Sequence, residues 1–355
     1  MRSTVAAVGL GAALCLAGAS FAVPSLYLPG AALLLIAAAA AAWVRLAARG
    51  VCVTRSLGAV AVEEQAALPV TVRVTHGRVR LPGADVRGWP GAQTAPLRKD
   101  GAISASARFA RRGRHVLGPA SVLISDPLAL SRRAVASGTD EVLVLPRIES
   151  VRLVEMGGEA GIFGFRAVHS TDAGATEVDS VRPYRPGTSA SRIHWPTVAR
   201  TAILMERRLV SDGDHRPLIV VDPRRASSAD ALDAAIRAAA SLCVHLARRG
   251  GCALLLPGDR RPNRIDTELY GFSELHARLA LLDGDAGAPP LGRVTGAHVV
   301  LWVTASATPA ASFVQLRAPA RYLVSPHVLP GSRVLFTVAG CGAQLLERQA
   351  RARAA

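Results

Sequence analysis

The chain opens on two long apolar runs. Thr4–Val23 carries no charge over 20 residues, and Leu26–Val44 is uncharged as well. Each approaches the length of about 20 residues that a helix needs to cross a bilayer. Pro24-Ser25 breaks the pattern, with Pro29-Gly30 just beyond. Residues 1–48 therefore read as a transmembrane helical hairpin. A cleaved signal peptide is the other reading of the first run; the single basic residue ahead of it, Arg2, and the second run directly behind it favour a retained span. Arg45, Arg49 and Arg55 follow the second run, and the connection carries no charge. The positive-inside rule then puts both ends in the cytoplasm. This predicts a multi-pass protein of the plasma (inner) membrane with cytoplasmic soluble domains. Gly9, Gly11, Gly18 and the many alanines allow the two helices to pack closely.

Beyond the hairpin the period changes to two. Residues 51–150 hold short apolar runs between Gly and Pro, among them Ala102–Phe109, Ala120–Ile124 and Glu141–Leu145. Leu68–Thr75 alternates strictly, as a half-buried strand does, and the spacing of the runs predicts a small β-sandwich. Residues 151–215 read as a linker followed by a dense signature segment. Met156–Ser180 is Gly-rich and loop-like, Pro186-Gly187 sets a turn, and Arg192, His194 and Trp195 alternate around Ile193 as an extended edge.

From Pro217 strands and helices alternate. Leu218–Val221 is a strand ending in Asp222. Ser228–Arg249 is a helix capped by Ser227 or Ser228 and stopped by Gly250-Gly251. Cys252–Leu256 and Ala297–Thr304 read as strands and Ser273–Leu282 as a helix. Pro309–Leu316 reads as a short helix, with Arg321–Val324 and Arg333–Val338 as later strands. The alternation predicts an open parallel α/β sheet, Rossmann-like, with helices on both faces over residues 216–345. Residues 346–355 form a basic tail. Ligands of such sheets bind at the carboxyl ends of strands, here near Asp222, Gly258-Asp259 and Thr304.

Composition narrows the partners. The formal net charge is +16, and Lys99 is the sole lysine, so the excess is arginine. It favours anionic partners, including phospholipid head groups. Aromatic residues make up only 4%, which argues against a nucleic-acid partner held by base stacking. Cys15, Cys52, Cys243, Cys252 and Cys341 are odd in number and none is spaced Cys-x-x-Cys, which speaks for a reducing compartment and against a zinc knuckle. No Walker loop, dinucleotide fingerprint or catalytic triad is legible, so no cofactor is expected.

The chemistry concentrates in two places. Arg182, Tyr184, Arg192, His194, Trp195 and Arg200 combine bidentate cations with aromatic faces. They form either a docking surface for an acidic partner or phosphorylated ligand, or an internal brace in which Arg182, Arg192 and Glu206 tie the segment down. Arg111–His115 is a second basic cluster, read as a hairpin that faces lipid or simply stands in solvent.

The stretch Val181–Arg207 resembles the signature of a bacterial membrane-anchored family, domain of unknown function 58. Arg111–Pro119 and Ser125-Asp126-Pro127-Leu128 resemble the pattern that precedes that signature. Arg192, Ile193, His194, Trp195, Ala199 and Arg200 fit it. Thr188-Ser189 and Pro196 depart from its acidic pair and its basic residue. The resemblance implies a von Willebrand factor A-like domain and work with a MoxR-type AAA+ ATPase in protein assembly or in the cell envelope. The A-like fold places a metal-ion-dependent adhesion site, Asp-x-Ser-x-Ser, after its first strand. Here the run is Asp222-Pro223-Arg224-Arg225-Ala226. Arg224 puts positive charge where the metal would sit, so no metal is expected, and Arg224 becomes a candidate to receive a partner's carboxylate. The leading expectation is a non-enzymatic, membrane-anchored scaffold that docks a partner through these residues and Asp222. An anionic lipid or nucleic-acid binder, and a hydrolase using His194 or Asp222, stay open.

Overall fold

The structure is a computed structural model. It describes residues 2–77, 84–88, 95–96, 101–154, 177–184, 193–210, 216–290, 297, 299–314, 316, 318 and 320–346. Of Arg2 and of residues 95–96, 177–183 and 206–210 it describes the backbone. The chain divides into two compact units, Met1–Leu145 and Pro146–Ala355.

The first unit begins with helix α1 (Arg2–Ser20). A 3-10 turn at Pro24–Leu26 leads into helix α2 (Tyr27–Ala47). Both helices are long and apolar enough to cross a membrane. They approach most closely where side chains are smallest: a Cβ on Gly30 would lie 2.6 Å from Cys15 Sγ and 2.9 Å from the Gly11 carbonyl oxygen. Outward they present Val5, Leu16, Leu28 and Leu35, all exposed. The last turn of α2 leaves this pattern. Val44 and Ala47 are buried among the strands that follow.

Among the described residues ten strands follow: β1 (Cys52–Leu57), β2 (Ala61–Glu63), β3 (Leu68–Thr75), β4 (Ala84–Arg87), β5 (Ala95–Pro96), β6 (Ala102–Ala107), β7 (Gly113–Leu117), β8 (Ser121–Ser125), β9 (Arg132–Ala136) and β10 (Asp140–Leu145). They form sheets in the orders β1-β3-β6, β2-β10-β7 and β5-β4-β8-β9. The strict alternation of β3 explains how these sheets share cores. Leu68, Val70, Val72 and Val74 all point inward. The first two meet Val142 and Val144 of β10; the last two meet Val122 and Ile124 of β8. Each such burial contributes about 2 kcal/mol of transfer free energy.

Arg55 differs from its sequence reading. It was expected among the membrane-flanking charges, yet its side chain is only 1% exposed and pairs with Asp140. It also donates to the carbonyls of Gly118 (2.6 Å) and Leu117 (3.1 Å). It is a brace between β1 and the ends of β7 and β10. The Arg111–His115 cluster is also tied down, through Arg114–Glu141 and the Arg112 amide on Glu64.

The second unit carries an eight-stranded sheet in the order β11-β19-β20-β18-β17-β14-β15-β16. Its strands are β11 (Arg152–Leu153), β14 (Leu218–Asp222), β15 (Cys252–Leu255), β16 (Asn263–Ile265), β17 (Val299–Thr304), β18 (Ala320–Ser325), β19 (Val334–Val338) and β20 (Cys341–Leu345). The central four, β18-β17-β14-β15, are parallel. The sheet is mixed rather than wholly parallel, because β16 on one side and β20, β19 and β11 on the other each pair antiparallel with the preceding strand of the sheet. Arg152-Leu153, read as linker, is its edge strand.

Two helices cover one face: α4 (Ala229–Ala247) and α5 (Phe272–Ala280). Ser228 caps α4 by accepting from the Ala231 amide at 3.1 Å. The opposite face is closed in part by the single turn α6 (Ala311–Val314), where Phe313 stacks on Trp302 at 5.1 Å. Between β11 and β14 lies a separate hairpin of β12 (Glu177–Pro183) and β13 (Met205–Val210) carrying helix α3 (Trp195–Thr201). The end of the expected 156–180 loop is therefore strand; the rest of that loop lies outside the described residues, as does the tail beyond Leu346.

Candidate functional site

The parallel strands create one point where the order reverses. β14 is followed through α4 by β15 on one side, while β17 pairs on its other side. Crevices that accept ligands form at the carboxyl ends of strands at such a point. Asp222, the last residue of β14, stands there opposite Thr304, the last of β17. Asp222 is 4% exposed.

Its carboxylate is fully engaged. Arg224 Nε donates to Oδ1 at 2.8 Å and Nη2 to Oδ2 at 2.9 Å, a bidentate fork. The Arg224 amide adds a longer contact of 3.3 Å to Oδ1. That hydrogen bond to Asp222, more than the charge attraction, raises the Arg224 pKa above its ordinary value. Arg225, next in the turn, is exposed and takes a left-handed φ of 54°. Two of the five Arg224 donors are therefore spent on its own neighbour.

The donors around Asp222 do not fit a hard cation. Magnesium needs open carboxylate and hydroxyl oxygens. Both Asp222 oxygens face a guanidinium, and Thr304 Oγ1 accepts from the Ser306 amide at 3.1 Å. Asp259, in the turn after β15, is also committed, to Leu256 N, Asn263 Nδ2 and Arg278. Among the described residues no group of three His, Cys, Asp or Glu side chains is placed to hold a metal.

At the same edge the sequence reading missed His327 and took Ser227 only as a candidate helix cap. Ser227 Oγ lies 2.6 Å from His327 Nε2. The Ser227 amide reaches the Ala305 carbonyl at 3.2 Å. The loop that carries His327 is fixed by Gln344, which is wholly buried. Gln344 Nε2 donates to the His327 carbonyl at 2.9 Å, and its Oε1 accepts from Leu329 N at 2.8 Å and from Ser332 Oγ. A hydroxyl against an imidazole is the first half of a nucleophile–base arrangement, which also needs a third group to orient the base. Among the described residues no carboxylate partner of His327 is seen. The contact joins the start of α4 to the loop after β18, so it acts as a latch.

The signature residues are gathered elsewhere in the unit. Arg182 and Glu206 are backbone partners in the β12–β13 register. The Tyr184 amide donates to the Leu204 carbonyl and that of His194 to Met205, both at 2.8 Å. Arg192 lies outside the described residues. His194 and Trp195 do not continue an extended edge: they start helix α3. His194 is its N-cap, with Nδ1 accepting from the Thr197 amide at 3.3 Å and lying 2.7 Å from its hydroxyl. In that role Nδ1 is committed to the helix cap. His194→Ala is expected to cost about 1 kcal/mol by loss of the cap. His194→Asn, which restores an acceptor, should recover most of it in a urea titration of the intact protein.

Helix α3 leaves its apolar residues uncovered. Trp195 is 61% exposed, and Ile203 and Leu204 at the helix exit are exposed as well. Arg200 sits in the last turn, where its charge complements the helix dipole. A tryptophan, an arginine and exposed aliphatic side chains within one short segment have the composition of an interface anchor. Arg200, Trp195 and Tyr184 thus share one local structure, and Asp222 and Arg224 another.

No family model matches the chain, and no curated protein matches it either.

Proposed function

We propose that the protein is a membrane-anchored, non-enzymatic docking platform of the domain of unknown function 58 family, and that its partner is a MoxR-type AAA+ ATPase. In this reading the α1–α2 hairpin crosses the plasma membrane twice and both units lie in the cytoplasm. The second unit is a von Willebrand factor A-like domain whose metal position has been taken over by Arg224. The mixed sheet, the switch point at Asp222 and the placement of α4 directly after it support that reading.

The observation that carries the docking role is Trp195. A large aromatic side chain left 61% exposed at the head of a capped helix has no folding purpose that burial would explain. Together with the exposed Ile203, Leu204 and Arg200 of the same segment, it offers apolar surface and a cation to an acidic partner. The net charge of +16 favours such a partner. The test is purification of the intact protein after crosslinking in native membranes. Recovery of an AAA+ ATPase is expected, falling about tenfold in Arg200→Glu, since a reversed charge at an interface anchor costs one to two kcal/mol or more. Equal recovery with both proteins would remove this docking face.

A further inference from the structure

We propose that the turn between β8 and β9 is a second membrane contact, which seats Leu128 in the headgroup layer and sets arginines against anionic phospholipid. The inference rests on the membrane-anchor reading of the hairpin. It concerns a motif, Ser125-Asp126-Pro127-Leu128, that the docking role leaves unused.

The turn is built to hold its shape. Asp126 is buried, and its carboxylate accepts from the amides of Leu128 (3.0 Å) and Ser131. The Asp126 amide reaches the Ser131 carbonyl, and the Ala129 amide returns to the Asp126 carbonyl at 2.9 Å. Ala129 takes a left-handed φ of 53°. This effort does not bury the turn's own apolar residue. Leu128 is 65% exposed, with Pro127 exposed beside it.

The turn is also fastened to the start of the first apolar helix. Ser3 Oγ donates to the carbonyls of Ala129 and Leu130, each at 3.1 Å, and Thr4 Oγ1 donates to Leu130. Ser3 and Thr4 open the span of α1. The last turn of α2, Val44 and Ala47, enters the core beneath β8. Both helices therefore leave the β unit beside this turn. If α1 enters the bilayer at Thr4, Leu128 is held at the depth of its first turn.

The charges at the same level are cationic. Arg45 and Arg49 flank the end of α2 and are exposed, and so are Arg132 and Arg133 on β9. Asp126 is the one acid in the Ser125–Ala136 stretch, and it is buried and hydrogen-bonded. Basic residues beside an inserted apolar side chain are the pattern by which proteins hold anionic membrane surfaces.

The test uses the intact protein in nanodiscs of phosphatidylcholine with increasing phosphatidylglycerol, with lipids brominated near the headgroup as quenchers. Leu128→Trp adds an indole at the turn; Trp43→Phe identifies the signal of Trp43, which lies within α2 and reports hairpin insertion. The added emission is expected to fall about twofold on bromination, as for a side chain at the headgroup boundary. Quenching should increase with phosphatidylglycerol, and Arg132→Glu with Arg133→Glu should abolish that increase. If Trp43 is quenched and the added indole is not, the turn contact is overturned and the anchor stands. If neither is quenched, the anchor reading fails and the turn contact with it. Quenching of the added indole that ignores phosphatidylglycerol would overturn the role of the arginines.

Discussion

Gln344→Leu is expected to lower the stability of the carboxyl-terminal unit by about 3 kcal/mol. The substitution keeps the volume close to native and removes only the amide. Gln344 is wholly buried on β20, and its amide satisfies three groups of the 326–332 loop. Leucine would leave the half-buried Leu329 N–H and His327 carbonyl without their amide partner. Each orphaned group costs about 1–2 kcal/mol, which sets the size of the effect. Gln344→Glu should not rescue, because a carboxylate cannot donate to His327 and would bring an unpaired charge into the core. Urea unfolding of the intact protein, followed through the buried Trp302, checks this; coincident midpoints for parent and Gln344→Leu would show that the loop is not held this way. The His327–Ser227 contact should loosen in parallel, since the same amide positions the His327 backbone.

The second large effect is a gain. In the double variant Arg224→Ser with Ala226→Ser, the guanidinium leaves Asp222 and two hydroxyls appear at the Asp-x-Ser-x-Ser spacing. The freed carboxylate, at the end of β14 and opposite Thr304, then meets the oxygen donors that a hard cation requires. Magnesium at about thirty times its dissociation constant would raise stability by about 2 kcal/mol, as linkage demands of any ligand that binds only the folded state. The parent should show no such dependence, and Arg224→Ser alone should show a weaker one. A thermal melt with and without magnesium reads all three proteins. Stabilisation of the parent would contradict the arginine clamp, and indifference of the double variant would weigh against an A-like site at this edge.

Local patterns were legible and long-range pairings were not. The alternation of Leu68–Thr75 marks β3 to the residue, because one buried face leaves no other register. Ser228 before an apolar periodic run marks the start of α4. Strand β20 was missed, although its signal is local: Ala339 and Gly340 both take positive φ, 48° and 78°, as a two-residue hairpin turn of the primed type requires. Only the glycine announces that conformation in sequence. Helix α3 was missed because histidine is not among the preferred caps; Pro196 at its start was the available cue. Arg55 was misread because a basic residue after an apolar helix has the same appearance whether it faces headgroups or an aspartate 85 positions away. Ser227 and His327 are 100 residues apart, and neither stands in a motif. Their meeting depends on the order of the sheet.

The docking claim is tested most directly by a photo-crosslinking amino acid placed at position 195 of the intact protein in native membranes. Trp195 is exposed, so the exchange leaves the fold in place. Light-dependent adducts are then identified by mass spectrometry. A single dominant adduct with an AAA+ ATPase, absent when the same group replaces exposed Val60 of the amino-terminal unit, is the predicted result. Adducts with lipid alone, or the same products from both positions, would contradict the account.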